Sequence, residues 1–247
     1  MFKWKAKAPV DETTRLWVEH SMQRLSEMFG AERLQNATVA LPTKEFFPDV
    51  WSDPEEGVEL LLRRVCALME VERERVDLET VYEEPDWGRE LPQLSHKQSG
   101  AAGLYVPPQG EAKEVIVVAL REGSQPPAII ATLAHELGHV LLLGDGRLAR
   151  DDEQHELLTD LLTVFLGLGV FTANSAFQFA QFSGPARSGW SMRRQGYLPE
   201  AVWAYSLAYF AHLRGEKRPA WSKHLNDNIR AYFNQSCRFI EQTREKR

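Results

Sequence analysis

"AIIATLAHELGHVLLL", residues 128–143, is an apolar run of helical length with two histidines and a glutamate in its interior. Left without partners, buried polar groups cost about 1–3 kcal/mol or more each, so the run demands something that satisfies them. Four residues of helix advance about 400°, which puts His135 and His139 on one face, one turn apart. That spacing lets two imidazole nitrogens reach a single Zn2+ at about 2.0–2.1 Å. Glu136 is turned about 100° from His135. It is too close in sequence to be an easy third ligand, but it can overhang the open coordination position and take a proton from a water acidified by the metal. Gly138 costs a helix about 1 kcal/mol relative to alanine, so a close approach by a neighbour is expected there.

A catalytic zinc usually takes three protein ligands and a water. After the "GDG" stop at 144–146, the stretch "DDEQHELLTDLLTVFLG", residues 151–167, offers the rest. It reads as a second helix over about 152–168, with Asp151 and Asp152 as capping and first-turn acids. Glu156 and Asp160 are again four apart and share a face. From Leu157 onward the helix is apolar on nearly all sides, interrupted by Thr159, Asp160 and Thr163. A carboxylate at 160 therefore needs a partner, and the simplest is the second ring nitrogen of a ligating histidine. Glu156, one turn earlier, then reaches the metal. His155 is the rival third ligand, but it points about 100° away from Glu156 around the helix. The short "GDGRLARDD" connection lets the two helices lie side by side.

"HELGH" followed by a helical "E-x-x-x-D" resembles the gluzincin class of zinc metallopeptidases, within which compact intracellular proteins of the ImmA/IrrE type and the thermolysin-like enzymes share the same logic. The strand "EVIVVAL" at 114–120, read as an edge strand, is followed by a turn and then the motif helix, an order also similar to that fold. The likeness covers roughly residues 78–168. It implies His135, His139 and Glu156 as ligands of one Zn2+ per chain, Glu136 as general base and acid, and Asp160 as the orienter of a ligand histidine, His135. The ImmA/IrrE-like pattern continues with small residues and "FA" after the third ligand, whereas this chain reads "LLTDLLTVFLG". A metzincin would require a histidine six residues after His139, where Asp145 stands.

The remainder of the chain frames that core. With 247 residues, 43% hydrophobic and 26% charged, it is expected to fold as a single globular domain, 1–247. The expected class is α+β, mainly α: a helical N-terminal region (1–75), a zincin-like core (76–170) with a small sheet packed on the HExxH helix, and a helical C-terminal region (171–247). Residues 11–30 carry apolar positions at helical spacing with Gly30 as a stop. "ATVALP" at 37–42 reads as a short strand. "SDPEEGVELLLRRVCALMEV" opens a helix with Ser52 or Asp53 as cap and Pro54 in the first turn. "RVDLETVYEE", "GAAGLYVPP" and "EVIVVAL" read as strands. An irregular stretch is expected over about 172–196, placed over the cleft as a lid, then helices over 199–214 and about 219–242 with aromatic stripes assigned to the core.

The net charge of −6 argues against nucleic acid or an anionic membrane as a partner. No run reaches the ~18 unbroken apolar residues of a membrane span, and "MFKWKAKAPV" is not followed by a signal-type apolar segment. The expected location is cytoplasmic, with Cys66 and Cys237 as free thiols. The expected activity is hydrolysis of a peptide bond in a protein or peptide substrate, with Glu136 moving the proton from water to the leaving amine. Tyr197 is the chosen auxiliary catalytic residue, from a set with Arg193, Arg194 and His212 that offers oxyanion donors. "SHKQSGAAGLY", containing His96, is expected near the floor of the cleft. Strand 114–120 is expected to pair with an extended substrate. The alternative is a non-catalytic or regulated zincin-fold protein that senses or binds a regulatory protein partner; the glutamate of HExxH favours catalysis.

Overall fold

The computed structural model describes residues 6–82, 103–108, 112–120, 124–182 and 198–244. The chain is α+β and mainly helical, with a three-stranded mixed sheet among the described residues. Helix α1 (Glu12–Phe29) begins where the Asp11 carboxylate accepts the Thr14 N–H at 2.8 Å, and ends at Gly30. A short helix α2 (Ala31–Asn36) follows. Helix α3 (Pro54–Met69) starts with Asp53 accepting the Glu56 N–H at 2.9 Å and Pro54 in the first turn. Both N-caps satisfy amides that a helix start leaves open.

"ATVALP" is not a strand. Its Ala40 N–H donates to the Gly167 carbonyl at 3.0 Å, and no ladder forms. Gly167 takes a positive φ of 87° where its Cα faces the Thr38 carbonyl, leaving no room for a side chain. The apolar residues of this stretch pack against a turn, which serves them as well as a sheet would.

Strands β1 (Val76–Tyr82), β2 (Gly103–Val106) and β3 (Glu114–Leu120) form a sheet in the order β1-β3-β2. β1 runs parallel to β3 with Val76 opposite Glu114; β2 runs antiparallel with Gly103 opposite Val118. The sequence expectation of an edge strand at 114–120 is therefore corrected. β3 is central, as its almost uniformly buried apolar residues require, and both its edges are already paired. Substrate cannot pair with it.

Helix α4 (Pro126–His139) carries the HExxH residues and continues as a π-helical turn, Val140–Gly144. Two prolines at its start fix the first turn, where no N–H partner is needed. It is apolar on every side because it is covered on every side: β2 and β3 on one face, α3, α5 (His155–Phe165) and α6 (Gly169–Phe182) on the others. Residues Pro126–Gly144 span 19 residues at a mean hydropathy of 1.4, so one segment does have the length and composition of a membrane span. It is 78% buried inside the fold, as a core helix is.

α5 begins at His155 rather than near 152: Asp151 and Asp152 lie in the preceding turn, where the Asp152 carboxylate accepts the Gln154 N–H at 2.8 Å. α1 fastens this turn, through Trp17 Nε1 donating to Gln154 Oε1 at 3.0 Å and Arg24 lying 3.5 Å from Asp152. The irregular stretch expected from 172 is helical to Phe182; the lid assigned to its later part lies outside the described residues. α7 (Glu200–Leu213) and α8 (Asp227–Arg244) pack together, α7 also against α1, with Trp203, Tyr205, Phe210 and Phe233 buried as core.

Candidate metal centre

Side-by-side packing of α4 and α5 brings His135, His139 and Glu156 into one cluster, with a ligand atom from each inside a 4.8 Å spread. Glu156 Oε2 lies 3.1 Å from His135 Nε2 and 3.4 Å from His139 Nε2. Two ligands each about 2.0–2.1 Å from a tetrahedral zinc stand roughly 3.3–3.4 Å apart, so the spacing suits a single ion.

The far side of each imidazole is also occupied. His135 Nδ1 lies 2.9 Å from Asp160 Oδ1, the contact expected of the orienter. His139 Nδ1 lies 3.3 Å from Thr159 Oγ1, whose hydrogen goes to the His155 carbonyl at 2.7 Å. The threonine oxygen is thus an acceptor, and His139 carries its hydrogen on Nδ1. Both rings then turn Nε2 toward the same point, the ring orientation a metal requires. Thr159 had registered in the sequence only as an interruption of an apolar face. Its place three residues after Glu156, on nearly the same side of the helix, was the available signal.

Glu136 is 5% exposed, and its Oε2 has no hydrogen-bond partner among the described residues. The backbone N–H of Tyr105, on β2, favours the ionised form of the same carboxylate. Gly103, two residues earlier, passes so close that a side chain would come within 2.8 Å of Glu136 Oε1. Burial pushes the Glu136 carboxyl up from its ordinary value, and the neighbouring imidazoles pull it partly back. Gly138 has the close neighbour expected of it: a Cβ there would stand 2.7 Å from the Thr159 methyl.

Burial opposes charge on His135 and Glu156 alike, yet their contacts prevail. His135 is held protonated well above the usual imidazole range by Asp160 and Glu156. Glu156 is held well below the usual carboxylate range by the two imidazoles. These contacts favour the protonated imidazole and the ionised carboxylate. Asp160 is raised by burial, against the pull of His135, and its Oδ2 accepts the Leu198 N–H at 3.2 Å. That bond ties the start of α7 to the candidate centre, which no sequence pattern announces.

His155 lies beside the cluster, its ring centroid 5.7 Å from that of His139 and its Nδ1 3.6 Å from Glu156 Oε1. It is not among the converging ligand atoms. Asp145 pairs with Arg75 at 2.7 Å and Arg147 at 3.2 Å. The His212 ring lies tilted against Tyr209, centroids 5.8 Å apart, and lines a depression between α7 and α8 with Cys237 and Glu241. Tyr197, Arg193, Arg194 and His96 lie outside the described residues.

In comparisons with known proteins, the sequence matches no family model and no curated protein, and the fold matches no solved structure.

Proposed function

We propose that this chain is a zinc-dependent metallopeptidase of gluzincin type, with a zincin-like core formed by the sheet, α4 and α5. One observation carries the reading: two imidazoles, each anchored at Nδ1, turn Nε2 toward one carboxylate oxygen at 3.1 and 3.4 Å. Beside them the buried Glu136 Oε2 is left without a partner. Two imidazoles and a carboxylate favour zinc over the hard cations, which prefer oxygen ligands throughout.

A zinc ion held by His135, His139 and Glu156 supplies Lewis acidity and lowers the pKa of coordinated water toward about 7. The protein does the remainder. Glu136 accepts the proton of the attacking water at Oε2 and returns it to the leaving amine. The narrow passage at Gly103 holds that carboxylate in place. Asp160 and Thr159 keep the imidazoles aligned. Among the described residues β2 pairs with β3 alone, so an extended peptide would add to β2, beside Glu136, and not to β3. A zinc that served only to staple helices or hold a partner-binding surface has no use for a buried carboxylate with an open oxygen.

Purified protein should take up about one zinc per chain, and His135→Ala or Glu156→Ala should abolish uptake. Glu136→Gln should keep the metal and lose hydrolysis, scored as missing new protein termini when cells expressing it are compared with wild type. Folded wild-type protein that takes up no zinc overturns the reading.

A further inference from the structure

Two ligand histidines in this site are held unequally. His135 has a carboxylate at 2.9 Å on its far nitrogen; His139 has a neutral hydroxyl at 3.3 Å. The weaker polar anchor leaves His139 needing another restraint, and the Tyr105 ring provides one. It stacks on the imidazole with centroids 5.9 Å apart and planes 27° from parallel.

Tyr105 sits on a strand of four residues, too short to be fixed by its own ladder. Its hydroxyl runs inward and donates to Glu114 Oε1 at 3.1 Å. Glu114, the first residue of β3, is 4% exposed and takes Arg75 Nε at 2.6 Å. Arg75 joins Asp145 at 2.7 Å and comes to 3.5 Å from the Val140 carbonyl, one residue past His139. Gly144, in the same π-turn, has no room for a Cβ against Glu114 Oε1. A buried ionic group of this kind gains little over apolar packing in stability, because desolvation offsets its attraction. What it supplies is fixed geometry, and this one fixes the two sides of His139: the ring through Tyr105 and the backbone through Val140.

We propose that Tyr105 is a positioning residue of the metal centre. Its ring clamps the His139 imidazole, and the Glu114–Arg75 pair sets its own place. This assignment rests on the zinc reading above.

The test measures zinc affinity by chelator competition, the visible spectrum of the cobalt-loaded protein, and folding of the metal-free form by circular dichroism. Wild type is compared with Tyr105→Phe and Tyr105→Leu. Partners one step out from a metal typically contribute 10–100-fold in affinity. Tyr105→Leu, which removes ring and hydroxyl, should weaken zinc about tenfold or more and shift the cobalt bands at saturating metal. Tyr105→Phe, which keeps the ring, should weaken zinc roughly threefold with a smaller shift. A purely structural role would lower thermal stability and leave the saturated cobalt spectrum unmoved. Unchanged affinity and spectrum in Tyr105→Phe, or a leucine variant that binds as well as the phenylalanine one, overturns the assignment. If Tyr105→Leu does not fold, Tyr105→Phe against wild type decides. Wild type that binds no zinc overturns the zinc reading itself; wild type that binds, with variants unchanged, overturns only the role of Tyr105.

Discussion

Asp160 Oδ1 stands 2.9 Å from His135 Nδ1, while its other oxygen takes the Leu198 N–H at 3.2 Å. One buried carboxylate thus fixes the tautomer of His135 and the start of α7. Asp160→Asn should cut zinc affinity by about 10–100-fold. The amide has one acceptor for two donors, so either the imidazole or the Leu198 N–H faces an NH2 group. Chelator competition measures the loss, and an affinity equal to wild type would show that Asp160 does not orient His135.

Zinc binding should strengthen as pH rises. The sign follows from the proton that His135 retains well above the usual imidazole range under the pull of Asp160 and Glu156. Glu156 is already ionised across the same range, so one proton must leave Nε2 when metal enters. Affinity should climb about tenfold per pH unit up to the raised His135 value, with roughly one proton released per zinc. Titration between about pH 6 and 8, corrected for the chelator's own protonation, gives the slope. A flat profile there contradicts a protonated His135 in the metal-free site.

The cluster of His135, His139 and Glu156 was legible because helix geometry is periodic. HExxH and E-x-x-x-D each put their members on one face, and Asp160 announced itself as a carboxylate among leucines. The helix starts at Asp11 and Asp53 were legible for the same local reason. What escaped depends on neighbours distant in sequence. "ATVALP" has the composition of a strand, yet packs on Gly167. "EVIVVAL" was read as an edge, although a run buried on both faces belongs in the middle of a sheet. Tyr105 entered the sequence reading as the last residue of "SHKQSGAAGLY", expected near the cleft floor; the role proposed for it comes from register, because β2 lies beside β3 so that Tyr105 pairs with Ile116 and reaches Glu114.

Cys66 and Cys237 are free thiols, both pushed up to about 11 chiefly by burial. Neither should react appreciably with a thiol reagent at neutral pH in the native state, and both should react after unfolding, because only the thiolate attacks. Raised folded values also carry a sign for stability. The contribution is full below the unfolded value of about 8.5 and is lost as pH rises through about 11. Urea midpoints should therefore fall across that alkaline window, and Cys66→Ser or Cys66→Ala should flatten part of the decline. Rapid native labelling at neutral pH would contradict the burial of these groups.

Gly138 is a point of close approach between α4 and α5 beside the candidate metal centre, and the space it leaves is filled by the Thr159 methyl. Alanine would raise helix propensity by about 1 kcal/mol, yet its Cβ would stand 2.7 Å from that methyl. Thr159 cannot swing away, because its hydroxyl is committed to the His155 carbonyl and to His139 Nδ1. Overpacking of this kind costs about 1–3 kcal/mol, so Gly138→Ala should destabilise the fold in thermal or urea unfolding. It should also weaken zinc binding, since pushing α5 outward moves Glu156 away from both imidazoles. Thr159→Ser removes the methyl and keeps the hydroxyl. Adding it to Gly138→Ala should restore most of the stability and the zinc affinity together. The double variant should do better than the sum of the two single changes, as expected of residues in direct contact. Simple additivity would show that the two helices are not held apart by this one contact.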